Sequence, residues 1–209
     1  MKRVVGVLAL VGLGLVLPKA AGAQEEDERA ETRVVQARKY VLGHEFFVAG
    51  GWLPLDAFEK AVTASGGYAL HLTQELAVEV AATKSFVYDT ALRDQLLSLG
   101  KTPLESSEPV SQMIAGAVSW SPFYGKLAVS SGGLLHLDFT LTAGGGYGWF
   151  SSTARPVALW GLGMRTYLSS TWSVRLDLRS LHFIETDGWD LHNEVSISLG
   201  LAASIGGAS

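Results

Sequence analysis

Three histidines are candidates for chemistry: His71, His136 and His192. With Ser196 or Asp138 they offer a nucleophile, a base and an orienter, the set that acyl transfer needs within mutual reach. No motif ties these residues together, so a lipid hydrolase or acyltransferase is the weaker reading. His71, His136 and Glu79 would be metal donors, but without a recognisable ligand spacing. No cofactor is expected. The charges form a fuller set. Arg165, Arg175, Arg179 and Lys126 share a strand face with Glu45, Glu79, Asp138, Asp177 and Glu194. Near balance of sign predicts an ion-pair network. A path for ions or protons is the sharper alternative.

The elements that must position these residues are strands. In "LLHLDFTLTAGGGYGWF" (134–150) His136, Asp138, Thr140 and Thr142 alternate with Leu135, Leu137, Phe139 and Leu141. That period of two is a strand signal. The same alternation sorts the rest of the chain. One face holds Val78, Val80, Trp160, Leu162, Leu176, Leu178, Ile197 and Leu199; the other holds the charges with His71, His192, Ser196 and Ser198. Eight strands are expected, joined alternately by three short turns and four longer loops. "YALHLTQELAVEV" and "MRTYLSSTWSVRL" repeat one design of strand, polar turn and strand. Between Trp120 and Phe123 the apolar parity flips, which requires an extra residue and predicts a bulge near Ser121–Pro122. "LPLDAFEKAVTASG" (53–66) reads as a loop, because Pro, Asp and Gly punctuate it. Within 89–108, Ala91–Leu99 has helical spacing. Its leucines (Leu92, Leu96, Leu97, Leu99) are expected to fold as a lid onto the barrel mouth.

The apolar face is expected to look outward. Glycines recur in the charged register (Gly43, Gly161, Gly163, Gly200), and glycine in a strand marks crowding. Aromatics gather near strand ends: Tyr40, Tyr124, Tyr167 and Trp172 near the short turns, and Trp52, Trp149, Phe150, Phe183 and Trp189 near the loops. Two aromatic belts around an apolar band match the two interfaces of a bilayer. The fold class predicted is therefore all-β: an eight-stranded antiparallel transmembrane barrel, an up-and-down meander with a polar lumen filled by side chains. Closure leaves no unpaired backbone edge in lipid. An eight-stranded interior is just wide enough for side chains to fill.

The bulk composition agrees. The chain begins Met1-Lys2-Arg3, runs apolar from Val4 to Leu17 and reaches Ala21-Gly22-Ala23. This predicts an export leader over residues 1–23, cleaved after Ala23. Its apolar core is shorter than the ~20 residues a spanning helix needs. Residues 24–37 are charged and read as a periplasmic linker; 38–209 form the barrel. The sequence has 209 residues, no cysteine and a net charge of −4. A disulfide scaffold is excluded. Removing a leader rich in Lys and Arg makes the remainder more acidic still, which argues against nucleic-acid binding. The expected partners are outer-membrane lipids and, through the loops 53–66 and 89–108, other envelope proteins.

At "GWLPLDAFEKAVTASGGY" (51–68), "LAVEV" (76–80), "PFYGKLAV" (122–129) and "SVRLDLRS" (173–180), the chain resembles outer-membrane β-barrel proteins of myxobacteria-type Gram-negative bacteria. The resemblance implies an eight-stranded barrel with periplasmic termini. Some such proteins are associated with trans-envelope machinery such as that of gliding motility, and together with the closed polar lumen and the loop asymmetry this predicts a non-enzymatic structural or interaction role. The chain departs from such barrels by ending "ASIGGAS" rather than in an aromatic residue. Gly50-Gly51-Trp52 mimics the Gly-x-Trp of lipocalins, but the alternation runs the wrong way for an apolar interior.

Overall fold

The computed structural model describes residues 38, 40, 42–101, 109–128, 134–151, 153–184 and 191–206. The predicted leader and charged linker, the turn at 130–133 and Trp189 lie outside the described residues. Eight strands follow in order: β1 (His44–Leu53), β2 (Glu59–His71), β3 (Leu76–Asp89), β4 (Gln112–Ala128), β5 (Leu134–Trp149), β6 (Ala154–Tyr167), β7 (Trp172–Ile184) and β8 (Leu191–Ile205). One helix, α1 (Ala91–Ser98), lies between β3 and β4. Each strand pairs antiparallel with the next, and β8 pairs with β1 to close the barrel.

The two hairpins that share a design in sequence close identically. Thr73 Oγ1 accepts from the backbone N–H groups of Glu75 and Leu76, at 3.2 and 3.0 Å. Ser169 Oγ does the same for Thr171 and Trp172, at 3.2 and 3.0 Å. A hydroxyl that folds onto the backbone two and three residues on makes a tight turn without glycine. The predicted bulge is present: the β4–β5 register shifts between Trp120 and Phe123. Pro122 has no N–H to give the ladder, and Ser121 N–H instead reaches Glu75 O at 2.7 Å.

Two expectations are corrected. The segment 53–66 is not a loop throughout, because β2 begins at Glu59 and only 54–58 leaves the sheet. There Asp56 Oδ1 accepts from the N–H groups of Phe58 and Glu59, both at 2.7 Å, and turns the chain within five residues. Gly66, which reads as loop punctuation, is a strand residue like Gly67 after it. A Cβ on Gly67 would lie 2.4 Å from the Phe47 ring, so this glycine makes room for an inward aromatic. Second, α1 is not a lid. None of its residues is buried, and Leu92 and Leu97 are exposed. It is tethered at its start, where Thr90 Oγ1 donates to Ala57 O at 2.9 Å and Arg93 pairs with Glu59.

The faces sort by period. Phe139, Leu141, Trp160, Leu162, Leu176, Leu178, Ile197 and Leu199 are exposed on the outside; Glu45, Glu79, Asp138, Arg165, Arg175 and Asp177 are buried inside. A continuous outer band of exposed Leu, Ile, Val and aromatic side chains is far larger than a water-facing surface carries. It is the surface of a membrane barrel. All five described tryptophans, Trp52, Trp120, Trp149, Trp160 and Trp172, lie on this outer face.

Candidate functional site

The interior is stacked in layers. At the short-turn end, Asp138 is fully buried and accepts from the Tyr167 hydroxyl at 2.5 Å. Arg38, which precedes β1, approaches the same carboxylate at 3.6 Å and donates to the carbonyls of Gln74 and Ser121. Tyr40 packs on His136 and Tyr167, with ring centroids 5.5 and 5.2 Å apart. The chain leading into β1 thus covers this mouth. Tyr40, Tyr124 and Tyr167 therefore do not belong to an outer belt. The bulge places Tyr124 opposite Asp138 and the ladder places Tyr167 opposite His136, both inward positions. Trp52, Trp149 and Trp172 do face out.

The ion-pair layer comes next. Arg165 and Arg175 are direct cross-strand partners on β6 and β7. Like charges so placed repel. Glu45 resolves this from β1: its Oε1 accepts from Arg165 Nη2 at 2.9 Å and from Arg175 Nη1 at 3.0 Å. Its Oε2 lies 3.3 Å from His71 Nε2. Glu79 on β3 takes Arg175 Nη2 at 3.0 Å and Arg179 Nη2 at 2.7 Å. Asp177 lies 3.6 Å from Arg175 and 3.8 Å from Arg179. The Arg175 guanidinium also sits 4.3 Å from the centroid of the Phe47 ring. Three arginines and three carboxylates thus span the lumen. Burial of charge on this scale is tolerated only when every member is paired.

Three predicted members lie apart. Lys126 is exposed near the strand end and takes part in none of the ion pairs among the described residues. Asp138 belongs to the mouth cluster. Glu194 pairs with His192 at 3.1 Å.

Above the ion pairs a cavity of about 40 Å³ is lined by hydroxyls such as those of Thr63, Ser85 and Ser198 and by apolar side chains such as Phe47, Met113 and Leu181. That holds a few waters and is too small for a substrate of ordinary size. The loop end is then filled by Leu53, Val110, Phe150, Val157, Leu159, Leu181 and Phe183. The interior is therefore only half polar, which corrects the expectation of a polar lumen throughout, and Phe150 and Phe183 are plug rather than belt. Their signal was present in the inward register of β1, β6 and β7, where Leu53, Leu159, Leu181 and Phe183 continue the charged face.

Two of the three lumen histidines are held by carboxylates rather than by a serine. His71 and His192 are committed to Glu45 and Glu194. Among the described residues no group of three metal-binding side chains converges. A different polar group, Ser180, His182 and Asn193 with Trp160, sits on the outer face.

No family model matches the chain, and no curated protein matches it. Solved structures are similar in outline. One is a de novo designed transmembrane β-barrel, at TM-score 0.41 and 13% identity over 80% of this chain and 98% of that one. Another is the N-terminal β-barrel domain of Pseudomonas aeruginosa OprF, at TM-score 0.45 and 10% identity over 78% and 96%. A third is Neisserial surface protein A, at TM-score 0.41 and 9% identity over 78% and 96%. Likenesses this distant decide nothing about activity; membrane placement rests on the outer surface described above.

Proposed function

We propose that this chain is a sealed outer-membrane barrel that works through its ends and outer surface, in a structural and interaction role within a trans-envelope complex. The supporting observation is the lumen, blocked in succession by the Arg38–Asp138–Tyr167 mouth, the Glu45–Arg175–Glu79 layer and the Phe150–Phe183 plug. The groups of each blockage hold one another across the lumen, with Asp138 Oδ1 at the mouth and Arg165 Nε in the ion-pair layer the buried polar atoms left without a hydrogen-bond partner among the described residues. Export to the outer membrane agrees with the leader expected over residues 1–23. Gliding-motility machinery is the assembly that the family resemblance implies. The surface suited to a protein partner is α1, whose Leu92 and Leu97 are exposed at the loop end.

A small channel is the competing reading, and planar-bilayer recording separates the two. The sealed barrel gives no unitary conductance steps in the purified full chain, and reproducible steps would overturn it. Deletion of residues 91–107 is expected to remove envelope proteins that crosslink to the intact barrel. An unchanged crosslinked set would count against the interaction role.

A further inference from the structure

The outer face carries a polar group that neither the sealed lumen nor α1 accounts for. Ser180 and His182 lie on β7 in the outward register, and Asn193 lies directly opposite His182 on β8. Asn193 Oδ1 is 2.5 Å from His182 Nδ1. Ser180 Oγ is 3.2 Å from His182 Nε2. Trp160 on β6, opposite Ser180, donates its indole N–H to the same Nε2 at 2.8 Å.

These contacts fix the tautomer. An indole N–H can only donate, so Nε2 accepts and the ring proton sits on Nδ1. Nδ1–H then donates to the Asn193 amide oxygen. That leaves a neutral imidazole with its lone pair toward a serine hydroxyl and its other nitrogen held by an amide. A nucleophile, a base and an orienter within mutual reach are the requirements of serine acyl transfer, whatever the fold. Position adds to geometry. His182 is two residues from the loop end of β7, and Asn193 is two from the start of β8. This places the group at the rim of the apolar band, where the ester bonds of membrane lipids lie beside their headgroups. Polar side chains on a lipid-facing surface carry a cost, and three that orient one another call for a use.

We propose that Ser180, His182 and Asn193 form a lipid-facing esterase site acting on carboxylic esters of membrane lipids. Ser180 Oγ attacks the ester carbonyl while His182 Nε2 takes its proton. The tetrahedral intermediate collapses to acyl-Ser180, and the leaving alcohol, a lysolipid, takes that proton. Water, deprotonated by His182, then releases the fatty acid and restores Ser180. The sum is ester plus water giving acid plus alcohol. Asn193 is a positioning residue that holds the imidazole. Trp160 occupies the lone pair the base needs, so its indole must swing away on lipid entry. Its freed N–H, on the residue opposite Ser180, can then donate to the oxyanion. The site rests on the membrane placement proposed above and departs from the expected non-enzymatic role.

The test uses the full chain folded into vesicles, with the shift in gel migration on heating as the separate check that the barrel has folded. An alkyl fluorophosphonate is applied and the labelled residue found by mass spectrometry. Fatty-acid release is followed from vesicles of phosphatidylethanolamine and phosphatidylglycerol, and in a second arm from vesicles containing lipopolysaccharide. The expected result is label at Ser180 and release in at least one arm, the arm naming the lipid. Ser180→Ala abolishes both, and His182→Ala lowers release by about 100-fold or more. Asn193→Leu lowers release, and Asn193→Asp restores much of it, a rescue that a merely structural role does not predict. A folded barrel without label at Ser180, or labelled but releasing fatty acid in neither arm, overturns the proposal. So does release unchanged in Ser180→Ala.

Discussion

The two halves of the barrel interior are built on opposite principles. Toward the short turns, Glu45, Glu79, Asp177 and three arginines hold one another across the lumen, with Glu45 itself fully buried. Toward the loops, Phe183, Leu53 and Phe150 pack as an ordinary apolar core. The apolar half is stabilised by area and contact, so its losses are graded. The charged half is all or none, since removing one partner strands the others in a dry interior. A narrow barrel can be filled either way, and the difference shows in how each half fails.

The largest effect is expected at the hub. Glu45→Ala leaves Arg165 and Arg175 facing each other with their shared acceptor gone, at a cost of about 3–5 kcal/mol. Urea unfolding of the barrel in lipid vesicles measures it. Replacing Glu45, Arg165 and Arg175 together with methionine or leucine is expected to cost less than Glu45→Ala alone. If the triple variant proves the less stable, the charged half is not the all-or-none device described. In the other half, Phe183→Ala opens a cavity at a fully buried ring and costs about 3 kcal/mol; a loss below 1 kcal/mol would mean the plug is loosely packed. Tyr167→Phe removes the phenol from buried Asp138 and costs roughly 1.5–3 kcal/mol, read from the same unfolding curves. Lys126→Ala, outside both layers, is expected to stay within about 0.5 kcal/mol of the parent. A larger loss there would bring Lys126 back into the network.

Much of this comparison was legible in the sequence because a strand has a period of two. Once His136 and Asp138 alternate with Leu135 and Leu137, one face is polar and the other apolar along the whole element. β8 runs over Leu191–Ile205, as its alternation implies, and the parity flip at Ser121–Pro122 located the bulge. What the pattern obscured has physical causes. The first half of β2 is small and polar, with Lys60, Thr63 and Ser65, so its period is faint and Gly66 reads as a turn. Tyrosine is amphipathic, and Tyr124 and Tyr167 near strand ends suit an interface as well as a mouth; only register assigns them inward. The partner of Arg165 is Glu45, from a strand remote in sequence, and closure of the barrel brings them together. Ser180, His182 and Asn193 carry no signal in the sequence, because the outward face is marked by its apolar residues and the pairing of β6, β7 and β8 is what joins them.

The central claim is that the apolar face meets lipid and the interior is closed. The tryptophans report it without any substitution, because all five described ones point outward and the described interior aromatics are Phe and Tyr. The barrel is folded into vesicles made with brominated acyl chains, and its tryptophan emission is compared with that in unbrominated vesicles and in aqueous iodide. Strong quenching by the brominated lipid and little by iodide is the predicted result. Emission indifferent to bromine and quenched by iodide would place that face in water and contradict the membrane barrel.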